Sequence, residues 1–275
     1  MLYRELFAAQ LRRLKKGEMS TAVEALIEKS FAISRTQFWI KKNQPITDAG
    51  GVRRFRRYFS RLLADEPLAY ILKEKEFFGE TFAVSRAVLI PRPETELLVE
   101  RALELLGRGK ARVLDIGSGS GNIAIILALK SSAAVTALDA SRPALRVLRE
   151  NIAAFGLQDR IRTLHGDFFP AKAKPFDMII ANPPYLSRKD WRDLPPAIKR
   201  FEPKAALVAG PAGTEALEKI IAGAADYLTG GGRLLLEIGH GQLRAVRAFL
   251  KSAGFKDVEW RRDYGGIARV ISARR

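Results

Sequence analysis

Cysteine is absent from all 275 residues. That excludes a disulfide framework, a thiolate metal site and a cysteine nucleophile, and it suits a reducing compartment. Histidine occurs only at His165 and His240; both fall at expected strand ends and read as structural residues, so no histidine base is expected and no metal site either. No run of eighteen apolar residues exists, and Arg4, Glu5, Arg12 and Arg13 break up the apolar residues at the start, which predicts neither a spanning helix nor a secretion leader. Internal repeats and low-complexity tracts are also missing. These absences predict a soluble, cytoplasmic chain with no membrane partner.

Positive charge is what the chain has in excess, +17 formally at pH 7. Residues 1–65 alone carry 14 Lys plus Arg against 6 Asp plus Glu, so the basic surplus is concentrated at the N-terminal end. Such a field attracts polyanions, yet helices with a solvated basic face have the same composition, and both readings stay open. With 47% hydrophobic residues the chain can bury a large core, and its length exceeds one average domain.

The N-terminal quarter reads as helical. Leu2, Leu6, Phe7, Leu11 and Leu14 recur at helical spacing up to Gly17; a second helix starts at Ser20 or Thr21 with Glu24 as capping-box partner; Ser34 caps a third. After an expected break at Gly50-Gly51, Val52–Leu63 repeats the pattern with Phe55 and Phe59 inward and Arg53, Arg54, Arg56 and Arg57 mostly outward. Nothing in this module resembles a nucleophile or phosphate site, so recognition or packing is its expected role. Residues 67–92 read as a β-hairpin linker around Gly79, ending in Pro91-Arg92-Pro93. Glu94 and Glu96 then open a helix, where acids suit the helix dipole and equally suit a pocket.

From Arg112 strands alternate with helices to the C-terminus, which predicts a doubly wound, seven-stranded, mostly parallel sheet. Four expected strand ends carry chemistry. Gly117-Ser118-Gly119-Ser120-Gly121 follows the first strand; its G-x-G-x-G spacing, with no Lys-Ser or Lys-Thr after it, disfavours a triphosphate and suits close backbone approach to another ligand. Asp139 ends the second strand about 20 residues on, where an acid can accept both ribose hydroxyls, although it also suits a helix cap ahead of Ser141-Arg142-Pro143. Asp167 and Phe168 follow the third strand and could meet an adenine amino group and its ring. The fourth, Phe176–Ala181, stops at Asn182-Pro183-Pro184-Tyr185: a rigid tip without N–H donors at the prolines, next to a side-chain amide and an aromatic ring. Such a tip can hold a planar nitrogen, or can simply terminate a strand.

Taken in order, these motifs resemble a class I S-adenosylmethionine-dependent methyltransferase acting on a planar nitrogen. VLIPRPETELLVE at Val88–Glu100, EPKAALVAG at Glu202–Gly210 and LLLEIGHGQ at Leu234–Gln242 closely resemble the release-factor glutamine N5-methyltransferases, over a stretch running from about Pro67 to the C-terminus. Lys73 departs from the family pattern, which has Gly there. The resemblance implies a Rossmann-like methyltransferase domain over 93–275, a small substrate-recognition domain over 1–66, S-adenosylmethionine as cofactor and S-adenosylhomocysteine as product. It implies the glutamine of a release-factor Gly-Gly-Gln loop as acceptor, with nucleic acid at most incidental and a monomeric enzyme. Cofactor contacts are then expected from Gly117, Ser118, Gly119, Ser120, Gly121, Asp139, Asp167, Phe168 and Asn182. The acceptor is expected at Asn182, Pro183, Pro184 and Tyr185, with Asn182, Pro183 and Tyr185 as the catalytic set: Asn182 and the Pro183 carbonyl take the amide hydrogens while Tyr185 stacks on the amide plane. Two other methyltransferases of planar nitrogen, one for N6 of adenine in DNA or RNA and one for a ribosomal-protein glutamine, share parts of this pattern. A silent adenosine- or nucleic-acid-binding module shares the fold alone.

Overall fold

The computed structural model describes residues 1–11, 20–107 and 109–275, in two compact units, Met1–Lys73 and Glu74–Arg275.

The first unit holds α1 (Tyr3–Leu11), α2 (Ser20–Phe31), α3 (Arg35–Lys41), α4 (Ala49–Leu63) and α5 (Leu68–Leu72). The expected continuation of α1 to Gly17, Leu14 included, lies outside the described residues. Val23, Leu26, Ile27, Phe38, Phe55 and Phe59 form its core, and the Ser34 cap is present, closed by a Gln37 capping box. Gly50 and Gly51 do not break the chain: Asp48 caps α4, and both glycines lie inside its first turn. The reason is packing, because a Cβ on Gly51 would come 2.4 Å from the Phe31 ring. Helix α5 ends at Lys73 in the left-handed region, φ 63°.

The second unit begins with a hairpin, β1 (Glu74–Phe77) and β2 (Glu80–Ala83). Phe78 and Gly79 turn it with φ 55° and 77°, the two positive values of a type I′ turn. Phe77 and Phe82 are buried in the core of this unit, so the hairpin packs as part of it. There follow α6 (Glu94–Leu106), β3 (Arg112–Ile116), α7 (Asn122–Lys130), β4 (Ala134–Asp139), α8 (Arg142–Ala154), β5 (Ile161–His165) and β6 (Phe176–Ala181). A segment of short elements comes next: β7 (Leu186–Ser187), α9 (Arg188–Asp193), α10 (Pro196–Phe201) and β8 (Val208–Gly210). The chain closes with α11 (Glu215–Tyr227), β9 (Leu228–Glu237), α12 (Leu243–Ser252), β10 (Lys256–Arg262) and β11 (Ala268–Arg274).

Seven strands form one sheet in the order β10-β11-β9-β6-β3-β4-β5. The pairs from β9 to β5 are parallel and β11 runs antiparallel to both neighbours. Alternate residues feed opposite cores: Val113, Val135, Met178 and Ile180 face α6, α7 and α8, whereas Leu114, Ile116, Ile179 and Leu236 face α11 and α12. Burial on both faces accounts for the nearly continuous apolar strands. The strand order reverses between β3 and β6, and at such a switch point the loops at the carboxyl ends part to leave a crevice.

Candidate active site

A cavity of ≈ 250 Å³ opens at that switch point. Gly117, Ser118, Gly119 and Ser120 line it from the β3 end, Asp139 from β4, Asp167 and Phe168 from β5, and Asn182, Pro183 and Pro184 from β6. Val88, Pro91, Arg92 and Thr95 close one side, and Pro203, Ala205 and Ala206 another. Four strand ends separated by up to 67 residues thus meet in one place.

The glycine turn has two functions. Gly117 and Gly119 have φ 72° and 56°, and a Cβ on Gly117 would meet nothing within 4 Å, so the backbone there is left-handed and bare toward the open side. Gly121 is the N-cap of α7 with φ 84°, and a Cβ there would come 2.3 Å from Leu148 Cδ1, so the close packing of α7 on α8 also uses its bareness. Asn151, buried on α8, holds the turn in place. Its Nδ2 donates to the Ser120 carbonyl at 2.8 Å, and its amide exchanges bonds with Ala83 of β2.

Asp139 accepts the Gly119 N–H at 2.9 Å on one oxygen and the Ser141 N–H at 2.7 Å on the other. Each oxygen retains a lone pair for a further donor. Capping of α8 belongs to Ser141, whose hydroxyl accepts the Ala144 N–H, so Asp139 is not the cap. Beneath the glycine turn Asp115 is fully buried, and neither of its carboxylate oxygens has a hydrogen-bond partner among the described residues. Burial, and then the charge of Asp139, push its carboxyl up to about 7, against an opposing pull from Ser118 and the Ala124 N–H.

After β5, Phe169 N–H donates to the Asp167 carbonyl at 2.7 Å across Phe168, whose φ is 58°. A bulky residue in the left-handed region is strained, and such strain persists only where the surroundings over-determine it. Here Phe169 supplies the constraint, stacking on Tyr227 with centroids 4.6 Å apart, while the Tyr227 hydroxyl donates to the Pro170 carbonyl. His165 Nε2 lies 3.1 Å from the Ala140 carbonyl, a structural contact between strand ends.

At the other end of the cavity, Asn182 Nδ2 donates to Thr95 Oγ1 at 3.0 Å. The Thr95 hydroxyl is 2.7 Å from Glu237 Oε2. Glu237 is buried, and desolvation pushes its carboxyl up to about 7, opposed by Thr95 and Arg269. Arg92 donates to the buried Glu202 at 2.6 Å, tying the Pro-Arg-Pro segment to the Glu202–Gly210 motif. Of the two acids at the start of α6, Glu96 accepts the Phe78 N–H of the hairpin turn, whereas Glu94 acts electrostatically on Glu237 and Tyr185.

Tyr185 does not line the cavity itself; its ring packs beside the Gly239 backbone, where a Cβ would come 3.0 Å from Tyr185 Cδ2. Gln242 Nε2 holds the Tyr185 carbonyl at 2.9 Å and so turns the chain away after the prolines. Burial, with the charge of Glu237, pushes its phenol up to about 12. Sequence reasoning did not single out Asp115, Thr95, Asn151 or Glu237 as parts of the site. Two of them carried a signal, as lone acids ending apolar strand runs.

The sheet order, the glycine turn and the convergent strand ends define a Rossmann-like methyltransferase. Residues 93–205 match the family model described as "Methyltransferase small domain", and residues 4–72 match the "PrmC N-terminal domain". A release factor glutamine methyltransferase of Bordetella pertussis is 42% identical over 255 residues, covering 90% of this chain and 93% of that protein. One of Chlorobaculum tepidum is 37% identical, covering 94% and 91%. The solved methyltransferase of Pyrococcus furiosus shares the fold with TM-score 0.56 at 20% identity, over 78% of this chain and 96% of that one. This chain belongs to the release factor glutamine methyltransferase family. No helix among the described residues is long and apolar enough to cross a membrane.

Proposed function

We propose that this enzyme transfers a methyl group from S-adenosylmethionine to the side-chain nitrogen, N5, of the glutamine in the Gly-Gly-Gln loop of peptide chain release factors, leaving S-adenosylhomocysteine. The observation that carries the reading is the amide of Asn182, held by Thr95 in a cavity that the bare glycine turn and Asp139 also line.

The residues present fit the cofactor. Gly117 and Gly119 leave the space a side chain would fill, Asp139 retains lone pairs for ribose hydroxyls, and Asp167 with Phe168 offers an acceptor and an apolar cover for the base. When bound, the sulfonium supplies an electrophilic methyl group. The acceptor is a poor nucleophile because an amide lone pair is delocalised into its carbonyl, so the chain's contribution is orientation and charge. Asn182 Oδ1 and the Pro183 carbonyl accept the two amide hydrogens, which fixes the nitrogen and favours the electron density that develops on it. No strong base is needed, since the methylated amide loses its extra proton to water. Tyr185 acts from behind, by setting the course of the chain after Pro184.

The helical unit is the natural candidate for holding the release factor, with its basic residues facing solvent or the partner. A monomer working in the cytoplasm alongside translation completes the reading. Mass spectrometry of a purified release factor after incubation with enzyme and S-adenosylmethionine tests it: one added methyl group on the Gly-Gly-Gln peptide is expected. Methyl transfer to a duplex oligonucleotide, with none to the release factor, would replace this function with adenine methylation.

A further inference from the structure

We propose that Thr95 and Glu237 are positioning residues that hold the Asn182 amide with Nδ2 turned inward and Oδ1 turned to the acceptor. The proposal rests on the function given above for its catalytic meaning, though its geometry stands separately.

The three side chains form a relay: Asn182 Nδ2 to Thr95 Oγ1 at 3.0 Å, and Thr95 Oγ1 to Glu237 Oε2 at 2.7 Å. A hydroxyl has one hydrogen, and a carboxylate can only accept. With Glu237 ionised, the Thr95 hydrogen is committed to it, so the Thr95 oxygen can serve Asn182 only as an acceptor. The amide must then present its NH₂ to the relay and its oxygen to the cavity. A flipped amide would set its oxygen against the Thr95 oxygen, with no hydrogen between them. Thr95 and Glu237 are 2% and 1% exposed, so water is not at hand to restore the missing partner, and the penalty for flipping is high.

The relay also joins two sequence motifs. Thr95 belongs to Pro-Arg-Pro-Glu-Thr-Glu, and Glu237 to Leu-Leu-Leu-Glu-Ile-Gly. They lie 142 residues apart and meet only behind Asn182. The carboxylate's protonation is part of the device. Protonated Glu237 could donate to Thr95, freeing the Thr95 hydrogen for Asn182 Oδ1 and permitting the flip. Burial and the charge of Glu94 on α6 disfavour the charge on Glu237, while Thr95, Asn182 and Arg269 on β11 favour it, Arg269 itself engaged by Asp263.

The test uses Thr95→Val, Thr95→Ser and Glu237→Gln in the full chain, with melting curves to establish folding. For Thr95→Val we expect turnover on the release factor to fall about 10²-fold, with cofactor affinity by calorimetry within a few-fold of wild type. Thr95→Ser should restore most of the rate. Glu237→Gln should lower turnover and remove the acid-side fall in its pH profile. Independently of activity, ¹⁵N NMR of the Asn182 side-chain NH₂ should show slow hydrogen exchange in the wild type and in Thr95→Ser, lost in Thr95→Val. Unchanged exchange in Thr95→Val overturns the relay whatever the rate; if that variant does not fold, unchanged exchange and pH profile in Glu237→Gln overturn it instead. A wild-type enzyme that methylates no release factor would defeat the proposed function, and the NMR result would still decide the relay.

Discussion

The two halves of the cleft are built from different materials. Where the proposed function seats the cofactor, the lining is mostly backbone: left-handed glycines, amide N–H groups bound to Asp139, and a strained turn at Phe168. At the acceptor end it is a series of side chains, Asn182, Thr95 and Glu237, from three distant parts of the chain. A backbone site is specified locally, within a few residues of one strand end. A side-chain relay exists only after the sheet has assembled. Damage should therefore be separable, with affinity lost at one end and turnover at the other.

The largest expected effect lies at the acceptor end. On the proposed function Asn182→Ala removes an acceptor that acts in the transition state, worth on the order of 10²-fold or more in turnover, while calorimetry should find cofactor affinity changed only a few-fold. Equal losses in both would merge the two halves into one. Asp139→Ala tests the opposite end. A hydrogen bond to a charged group contributes about 1.5–3 kcal/mol, so cofactor affinity should weaken by about 10-fold or more. The Gly119 and Ser141 N–H groups lose their acceptor as well, so a lower melting temperature should accompany it. Unaltered affinity would return Asp139 to a purely structural role.

A subtler contrast concerns Asp115, fully buried below the glycine turn, with no partner among the described residues in hydrogen-bond geometry at its carboxylate oxygens. Its carboxyl is pushed up to about 7, above the ordinary value of about 4 that the unfolded chain would show. The folded protein therefore holds a proton that the unfolded chain has released. The stability this gives is complete below about pH 4 and is lost as pH rises through about 7, at a slope approaching 1.4 kcal/mol per pH unit within that window. Asp115→Asn is neutral throughout and should flatten the fall between pH 5 and pH 8 in urea unfolding. Glu237 titrates in the same window, so part of the slope should survive; a slope unchanged by the substitution would mean that Asp115 is already ionised in the fold.

The same contrast explains what was legible in the sequence. The parallel sheet follows from apolar strands alternating with helices, and the place of Gly117, Gly119 and Asp139 in one cavity follows from their positions at strand termini, because these are local patterns. The packing of Gly121 and Tyr185 was not legible because a neighbour remote in sequence decides it: Leu148 packs where a Gly121 side chain would stand, and Gly239 receives the Tyr185 ring. Gly50-Gly51 looked like a break for the same reason, the need for Gly51 being set by Phe31. Thr95 and Glu237 read as helix-start and strand residues until Asn182 was placed beside them. The short elements between Leu186 and Gly210 have too few residues to show a period.

The smallest effect is expected outside the cleft, at Lys73. A non-glycine residue in the left-handed region costs roughly 1–2 kcal/mol, and Lys73 has φ 63°, ψ 23° at the end of α5. Its own N–H donates to the Ala69 carbonyl, so the conformation is fixed by the helix end it closes. The family pattern carries glycine here, which adopts this conformation freely but gives back roughly 0.5–1 kcal/mol in unfolded-state entropy. Lys73→Gly should thus stabilise the chain by about 1 kcal/mol, read as a melting temperature higher by about 2–4 °C. Alanine has the Cβ that causes the strain, so Lys73→Ala should give no such gain. A matching gain in both would assign the effect to removal of a positive charge from an already basic unit. A gain in neither would mean that Lys73 is held without strain. Turnover and cofactor affinity should be untouched in either variant, because neither half of the cleft includes this residue.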